Sequence, residues 1–293
     1  MNYQYIINDS NHVTIGNEQI ISNQDVLDAI NFCNDALRTL DAQTKQFDIN
    51  IFEVLGMRNL SGMVGEYFGK SIMRFSHNGL HSNLHQDGYP DLLLTNKPHL
   101  LAYFESLYIL KDGKKYPKDK ALFSPYKYGG VEIKATCGST PPASRIPKPL
   151  IGEQRINKVN SFDWKAHHRE TNNLLSILWD FIDEVPTVAA CFYRNDLNIN
   201  DWGKIVEPKE GGGRTTSVSI MTSYGVKKMC DGWIAVIDNP KYIDILSNKA
   251  EGFFSFNNFL LFICNCDNIF TYQIYYSWRN AFSNRVPNQT IFY

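Results

Sequence analysis

Two apolar segments of the sequence carry charged residues, and this feature restricts what the chain can fold into. Asp91 precedes a run of three leucines, which predicts a strand that is buried on both faces. The segment 129–136 alternates apolar and polar residues and predicts a second strand, with Glu132 and Lys134 together on one face. Because isolated buried charges cost several kcal/mol, these three charged residues need partners or a metal ion.

Asp91, Glu132 and Lys134 suit the hydrolysis of a phosphodiester bond. Two carboxylates that come together can hold a hard divalent cation through oxygen ligands. A bound cation polarises the phosphoryl group and lowers the pKa of its water. The lysine, two residues along the same strand face, can contact a bound phosphate or position the attacking water. The pattern therefore predicts metal-assisted hydrolysis.

The string Pro90-Asp91, forty residues and then Glu132-Ile133-Lys134 resembles the signature of the PD-(D/E)xK nuclease superfamily. That superfamily includes most type II restriction endonucleases and several repair and recombination nucleases. The resemblance covers about residues 60–195 and implies a restriction-endonuclease-like core of helix, three strands, helix and strand. It implies that Mg2+ is bound at Asp91, Glu132 and Ile133, that Lys134 orients or activates water, and that Glu66 on the preceding helix supports the site.

The resemblance further implies a type II site-specific enzyme that cuts double-stranded DNA with Mg2+ and leaves 5'-phosphates. It implies a homodimer, since a two-fold protein matches a two-fold DNA site. A cognate DNA methyltransferase would be its functional, not physical, partner. Two alternatives stay open at this point: a repair or structure-specific nuclease of the same superfamily, and a non-catalytic DNA-binding protein whose acidic residues are structural.

The gap between Asp91 and Glu132 is longer than is usual in that superfamily and requires an insertion at about residues 101–128. A rival pairing of Asp91 with Asp112-Gly113-Lys114 has a more ordinary gap. We reject it because Asp112 lies in a charged, turn-like segment that should be solvated. The lysine-rich segment 111–120 should form an exposed arm, which either clamps DNA or stays hydrated.

The patterns along the chain predict an α/β (α+β) fold with a mixed central sheet flanked by helices. Helices are predicted at 24–40, from Ser61 to about Arg74, and most strongly at 163–183, where apolar residues recur at steps of three and four. Further strands are predicted at 187–193, 217–222 and 232–238. We expect a single catalytic domain over 1–293, with a helical layer to about residue 60, a nuclease core with DNA-recognition loops at 60–240 and a strand-rich segment at 240–293.

Basic residues concentrate in the middle of the chain and predict a DNA-binding surface. Residues 145–169 carry six Lys or Arg against two acidic residues, whereas the whole chain has 29 basic and 30 acidic residues. Only a cleft must be positive to hold a polyanion, although a solvated surface would look the same. The predicted DNA contacts are Arg155, Lys158, Lys165, His167, His168 and Arg169, with Arg214 and Thr215 from the glycine-rich loop at 211–216.

The sequence gives no sign of export or of a membrane span. No apolar run approaches the roughly 18 residues that a membrane helix needs. The first residues lack a basic region followed by an apolar one, which a secretory signal requires. The six cysteines include no Cys-x-x-Cys pair and should be reduced thiols. We therefore expect a cytoplasmic protein with no membrane partner.

Overall fold

Helices and strands alternate along the chain in the computed structural model, which describes residues 3–85, 88–119, 122, 129–167, 169–208 and 217–249. The strands are β1 (Tyr5–Ile7), β2 (Val13–Ile15), β3 (Glu18–Ile21), β4 (Leu80–Ser82), β5 (Leu92–Leu94), β6 (Tyr108–Lys111), β7 (Lys114–Pro117), β8 (Gly130–Thr136), β9 (Lys165–Ala166), β10 (Leu174–Ile182), β11 (Val185–Arg194), β12 (Ser219–Ile220) and β13 (Trp233–Ile237). The helices are α1 (Asn23–Lys45), α2 (Ile51–Phe75), α3 (Pro98–Ser106), α4 (Ser223–Asp231) and α5 (Pro240–Lys249). All these elements belong to one compact unit.

A seven-stranded mixed sheet with the order β1-β13-β11-β10-β8-β5-β4 organises the fold. Strands β8 and β10 run parallel, and every other neighbouring pair in this sheet is antiparallel. A parallel pair needs a long crossover connection, and here residues 137–173 supply it. The predicted class, a mixed central sheet flanked by helices, is confirmed at this level.

Helices α1 and α2 pack together on one face of the sheet. Helix α1 starts where predicted, because Ser22 and Asp25 form a reciprocal capping box that satisfies free N–H groups of the first turn. Its apolar side is buried together with the side chains of β8 and β10 that point towards the helices. This layer contains most of the hydrophobic core.

Helix α2 begins ten residues before the predicted start at Ser61, so that prediction was wrong. Asn50 is the N-cap, and its side chain accepts a hydrogen bond from the N–H of Phe52 at 3.2 Å. The helix is kinked at Gly56, whose positive φ of 65° suits a residue without a Cβ atom. Ser61 lies inside the helix, where no cap is needed.

The helix predicted at 163–183 is wrong, since this segment contains β9, an irregular stretch and β10. Strand β10 is buried on both faces over eight of its nine residues. A strand of this kind is a continuous apolar run, and such a run also contains apolar residues at helical spacing. The two faces alternate in fact: Leu175, Ile177, Trp179 and Phe181 pack in the core under the helices, whereas Leu174, Ser176, Leu178 and Asp180 point the other way.

The ends of the described chain also differ from the predictions. The first 60 residues contain three strands as well as helices, and β1 pairs with β13 at the sheet edge. The segment 240–293, predicted to be strand-rich, begins with α5, and its residues from 250 on lie outside the described part of the chain. Strands β11 and β13 confirm two of the predicted strands. Of the described helices, none has the length and apolar character needed to cross a membrane.

The second face of the sheet is covered by the crossover, residues 137–173. Its apolar side chains, among them Ile156, Phe162 and Trp164, are buried. The carboxylate of Asp180, which points to this face, accepts hydrogen bonds from the backbone N–H groups of Arg155 at 2.7 Å and Ile156 at 3.2 Å. These bonds attach the crossover to β10.

The described part of the predicted insertion at 101–128, residues 101–119 and 122, contains most of α3 and a hairpin of β6 and β7. Leu93, the middle residue of β5, packs against Phe104 and Leu107, and Tyr108 joins this small cluster. Its neighbours Leu92 and Leu94 belong to the core under α1 and α2. The insertion therefore lies over β5 on the same face as the crossover.

We predict that Gly130→Ala destabilises the fold, because Gly130 lets β5 approach β8 closely. A Cβ atom there would lie 2.4 Å from the carbonyl oxygen of Leu92. Urea unfolding should show a loss of about 1–3 kcal/mol, the usual cost of overpacking. Gly62→Ala is the matched control, because no atom lies within 4 Å of its Cβ position inside α2. It should gain up to about 1 kcal/mol from helix propensity. Wild-type stability of Gly130→Ala would contradict the close approach.

Candidate active site

The pairing of β5 with β8 brings Asp91 next to Glu132. Leu92 is opposite Val131 in the antiparallel register, so the preceding Asp91 meets the following Glu132. The N–H of Ile133 donates to Oδ2 of Asp91 at 2.8 Å, and the N–H of Asp91 donates to Oε2 of Glu132 at 3.2 Å. Strand pairing thus closes the forty-residue gap between the two halves of the motif.

The ammonium group of Lys134 lies among three oxygen atoms. It donates hydrogen bonds to Oε1 of Glu132 and, at 3.0 Å, to the carbonyl oxygen of Ile133. Oδ2 of Asp91 is 3.6 Å from the same nitrogen. These oxygens belong to the three residues that the resemblance assigns to Mg2+. We call Asp91, Glu132 and Lys134 the trio.

The members of the trio differ in exposure, and this affects their charges. The side chain of Glu132 is 5% exposed, whereas that of Asp91 is 42% exposed and opens the site to solvent. Burial raises the pKa of Glu132 well above its usual range, and the charge of Lys134 offsets this only in part. Burial lowers the pKa of Lys134, but the carboxylates of Glu132 and Asp91 outweigh it and raise that pKa overall. Lys134 is therefore a stable cation.

The donor set of the trio fits a hard divalent cation. All the available donors are oxygens, from two carboxylates and one main-chain carbonyl, and a cationic nitrogen already lies among them. Within the described ranges, no group of three or more His, Cys, Asp or Glu side chains could hold a metal. Mg2+ does not need such a group, because proteins usually bind it through one or two carboxylates together with water and substrate phosphates.

Glu66 lies apart from the trio. Helix α2 packs on the face of β8 that carries Val131, Ile133 and Ala135, whereas Glu132 and Lys134 point to the opposite face. The glycines of α2 permit this approach, since the Cβ position of Gly65 is 3.5 Å from Ala135. Glu66 is exposed, and no hydrogen bond or ion pair joins it to the trio. Its supporting role stays a prediction.

Three of the predicted DNA-binding residues have partners within the protein. Lys165 forms an ion pair with Asp163 at 3.0 Å. Nδ1 of His167 is 3.0 Å from the carbonyl oxygen of Ser217. The guanidinium group of Arg169 donates to the carbonyl oxygens of Ile199 and Trp202 at 3.0 and 3.3 Å. The histidine and Arg169 therefore lie in an irregular segment that bonds to the chain around residues 199–217, not on the predicted helix.

The other predicted contacts are less constrained or lie outside the described residues. Lys158 is exposed on the crossover, and Arg155 is partly buried beside Cys137. His168, Arg214 and Thr215 lie outside the described residues. The crossover thus places basic residues on the same sheet face as the trio, which agrees with the predicted basic surface without testing DNA binding.

The sequence did not indicate that two further residues lie near the trio. Ser176 on β10 is the register partner of Lys134, and its fully buried hydroxyl has no hydrogen-bond partner among the described residues. Asp163 accepts a hydrogen bond at 3.1 Å from Thr136, which follows Lys134 on the same face of β8. Both residues lie in the segment that was predicted to be a helix, so no local pattern indicated their position.

Comparison with family models, with curated proteins and with solved structures found no match to this chain.

We predict that Lys134→Ala makes the stability of the protein depend more strongly on pH. Without the ammonium group the pKa of Glu132 rises further, so the folded chain binds this proton more tightly than the unfolded chain does. Stability then falls as the pH rises through this range. The expected loss at about pH 8 is roughly 3 kcal/mol, because the carboxylate is left buried and unpaired. At about pH 5 it should be smaller, since protonated Glu132 carries no charge.

Urea unfolding at both pH values measures this difference. The double variant Lys134→Ala/Glu132→Gln is the control and should remove the extra pH dependence. An equal loss at both pH values would show that Glu132 is not the group that Lys134 neutralises.

Proposed function

We propose that this chain is a type II restriction endonuclease, which hydrolyses double-stranded DNA at a short sequence in a Mg2+-dependent reaction and leaves 5'-phosphates. The observation that carries the proposal is the convergence of Asp91, Glu132 and the Ile133 carbonyl on one cationic nitrogen. Asp91 directly precedes β5 and Glu132 lies on β8, 41 positions further along the chain, so their meeting is a property of the fold.

In this proposal Asp91, Glu132 and the carbonyl oxygen of Ile133 hold Mg2+. When bound, Mg2+ polarises the phosphoryl group and lowers the pKa of its water. The fold contributes the position of the ligands, because the backbone N–H of Ile133 fixes one carboxylate and the backbone N–H of Asp91 fixes the other.

Lys134 serves as a hydrogen-bond donor in this reaction. The carboxylates of Glu132 and Asp91 raise its pKa, so the amine carries a proton before a cation occupies the site. A protonated amine can donate to the attacking water or to a phosphate oxygen, and its positive charge stabilises the extra negative charge of the transition state. The exposed side of Asp91 leaves the site open to a substrate from solvent.

The surroundings of the trio support a polyanionic substrate. The crossover and the α3–hairpin insertion lie on the same sheet face as Glu132 and Lys134, one over β10 and the other over β5. Basic side chains of the crossover, such as Lys158, are exposed there. The proposal includes a homodimer, which matches a two-fold DNA sequence, and a methyltransferase that protects the host genome.

Digestion of unmethylated phage DNA, with Mg2+ and with EDTA, tests the proposed function. Discrete fragments that require Mg2+ are expected, and sequencing of their ends should show 5'-phosphates. A smear would instead indicate a nonspecific or structure-directed nuclease. A gel shift without cleavage would indicate a DNA-binding protein whose trio is structural.

We predict that Asp91→Ala and Lys134→Ala each reduce cleavage by about a hundredfold or more, as expected when a group that stabilises the transition state is lost. Asp35→Asn is the control, because this exposed carboxylate on α1 pairs with Arg38 and lies away from the trio. Initial rates should be compared after circular dichroism has shown that each variant is folded. Activity in both trio variants would refute the assignment of the site.

A further inference from the structure

The hairpin of β6 and β7 presents an uncovered tip. Residues 111 and 114 pair across a turn formed by Asp112 and Gly113, whose φ values of 51° and 72° are typical of a tight two-residue hairpin. We call residues 109–116 the hairpin tip. Ile109 and Tyr116 pair on the same side of the ribbon and are 52% and 46% exposed.

The lysines of the hairpin fall into two groups. Lys115 pairs with Glu105, and Lys118 donates to the carbonyl oxygen of Ser106 at 2.7 Å, so both attach the hairpin to α3. Lys111 and Lys114 are exposed and form no ion pair with any described residue. They lie next to each other at the turn, on the same side as the exposed apolar pair. The tip thus combines positive charge with apolar surface.

The base of the hairpin and the trio lie on the same face of the central sheet. Asp91 and Leu93 point to the same side of β5, because residues two apart share a face. Leu93 packs under α3 and the start of the hairpin. The attachments through Glu105 and Ser106 hold the hairpin in a defined direction. The base of the hairpin is thus attached on the sheet face to which Glu132 and Lys134 point.

We propose that the hairpin tip enters a groove of the DNA duplex that is bound at the trio. The major groove, about 12 Å wide, admits a two-stranded ribbon. Lys111 and Lys114 then neutralise backbone phosphates, while Ile109 and Tyr116 contact sugars or base edges. This inference rests on the proposed function and adds to it a DNA-contacting element within the long insertion.

The test is the salt dependence of DNA binding by the full chain. A fluorescent duplex of about 30 base pairs with mixed sequence is titrated in EDTA at roughly 50 to 200 mM KCl, because phosphate contacts do not require a specific sequence. For Lys111→Gln/Lys114→Gln we expect Kd to rise about tenfold at low salt. The slope of log Kd against log salt should fall by about 2, near 0.9 for each lost contact.

Lys45→Gln/Lys70→Gln is the matched control, with the same loss of charge on the helices of the opposite sheet face. It should keep the wild-type slope. A slope equal to that of the wild type in the tip variant would overturn the inference, as would the absence of wild-type binding. If the tip variant changes only the sedimentation coefficient, the tip binds a second copy of the chain, and the inference is also wrong.

Cleavage separates this inference from the proposed function. Asp91→Ala should lose cleavage and keep the wild-type salt slope. If that variant still cleaves while the tip variant shows the reduced slope, the trio assignment fails, but the contact between the hairpin tip and DNA stands.

Discussion

The rest of the candidate site depends on the burial of the Glu132 carboxylate beside the Lys134 ammonium group. A carboxylate that is 5% exposed is costly unless a positive charge and hydrogen bonds compensate for its lost hydration. Lys134 supplies the charge, and the N–H of Asp91 supplies a hydrogen bond. That N–H is available because β5 pairs with β8, so the charges and the sheet register stabilise the same arrangement.

The two faces of the sheet are covered by different kinds of structure. Helices α1 and α2 seal one face with a large hydrophobic core, and this core makes β8 and β10 rigid supports. The other face is covered by the crossover of residues 137–173, which is largely irregular, and by the insertion with α3 and its hairpin. Irregular segments adapt in length and side chains more easily than packed helices do. The trio therefore lies on or directly beside packed strands, on the face that the crossover and the insertion cover.

Sequence reasoning succeeded where the chemistry is local. The strands around Asp91 and Glu132 were predicted from a leucine run and from strict alternation, and both are present. The N-cap at Ser22 likewise agrees with the predicted position of α1. The prediction from sequence failed at residues 163–183. Both faces of β10 are buried, so its sequence is a continuous apolar run without the alternation that marks a strand. Because residues 163–183 were predicted to form a helix, the sequence did not indicate that Ser176 lies beside Lys134. It also did not indicate the hydrogen bond between Asp163 and Thr136.

The sequence by itself determined the types of residue in the trio and the strand that carries both Glu132 and Lys134. It also determined the exposed turn at Asp112, which excludes the rival pairing of Asp91 with Asp112. These features depend on side-chain alternation and turn chemistry, which act over a few residues. Only the tertiary structure decided that Asp91 meets Glu132, that Glu66 lies away from them and that the hairpin shares their face. Each of these depends on strand order and on which face a helix covers, and those are set by contacts between segments that are far apart in the chain.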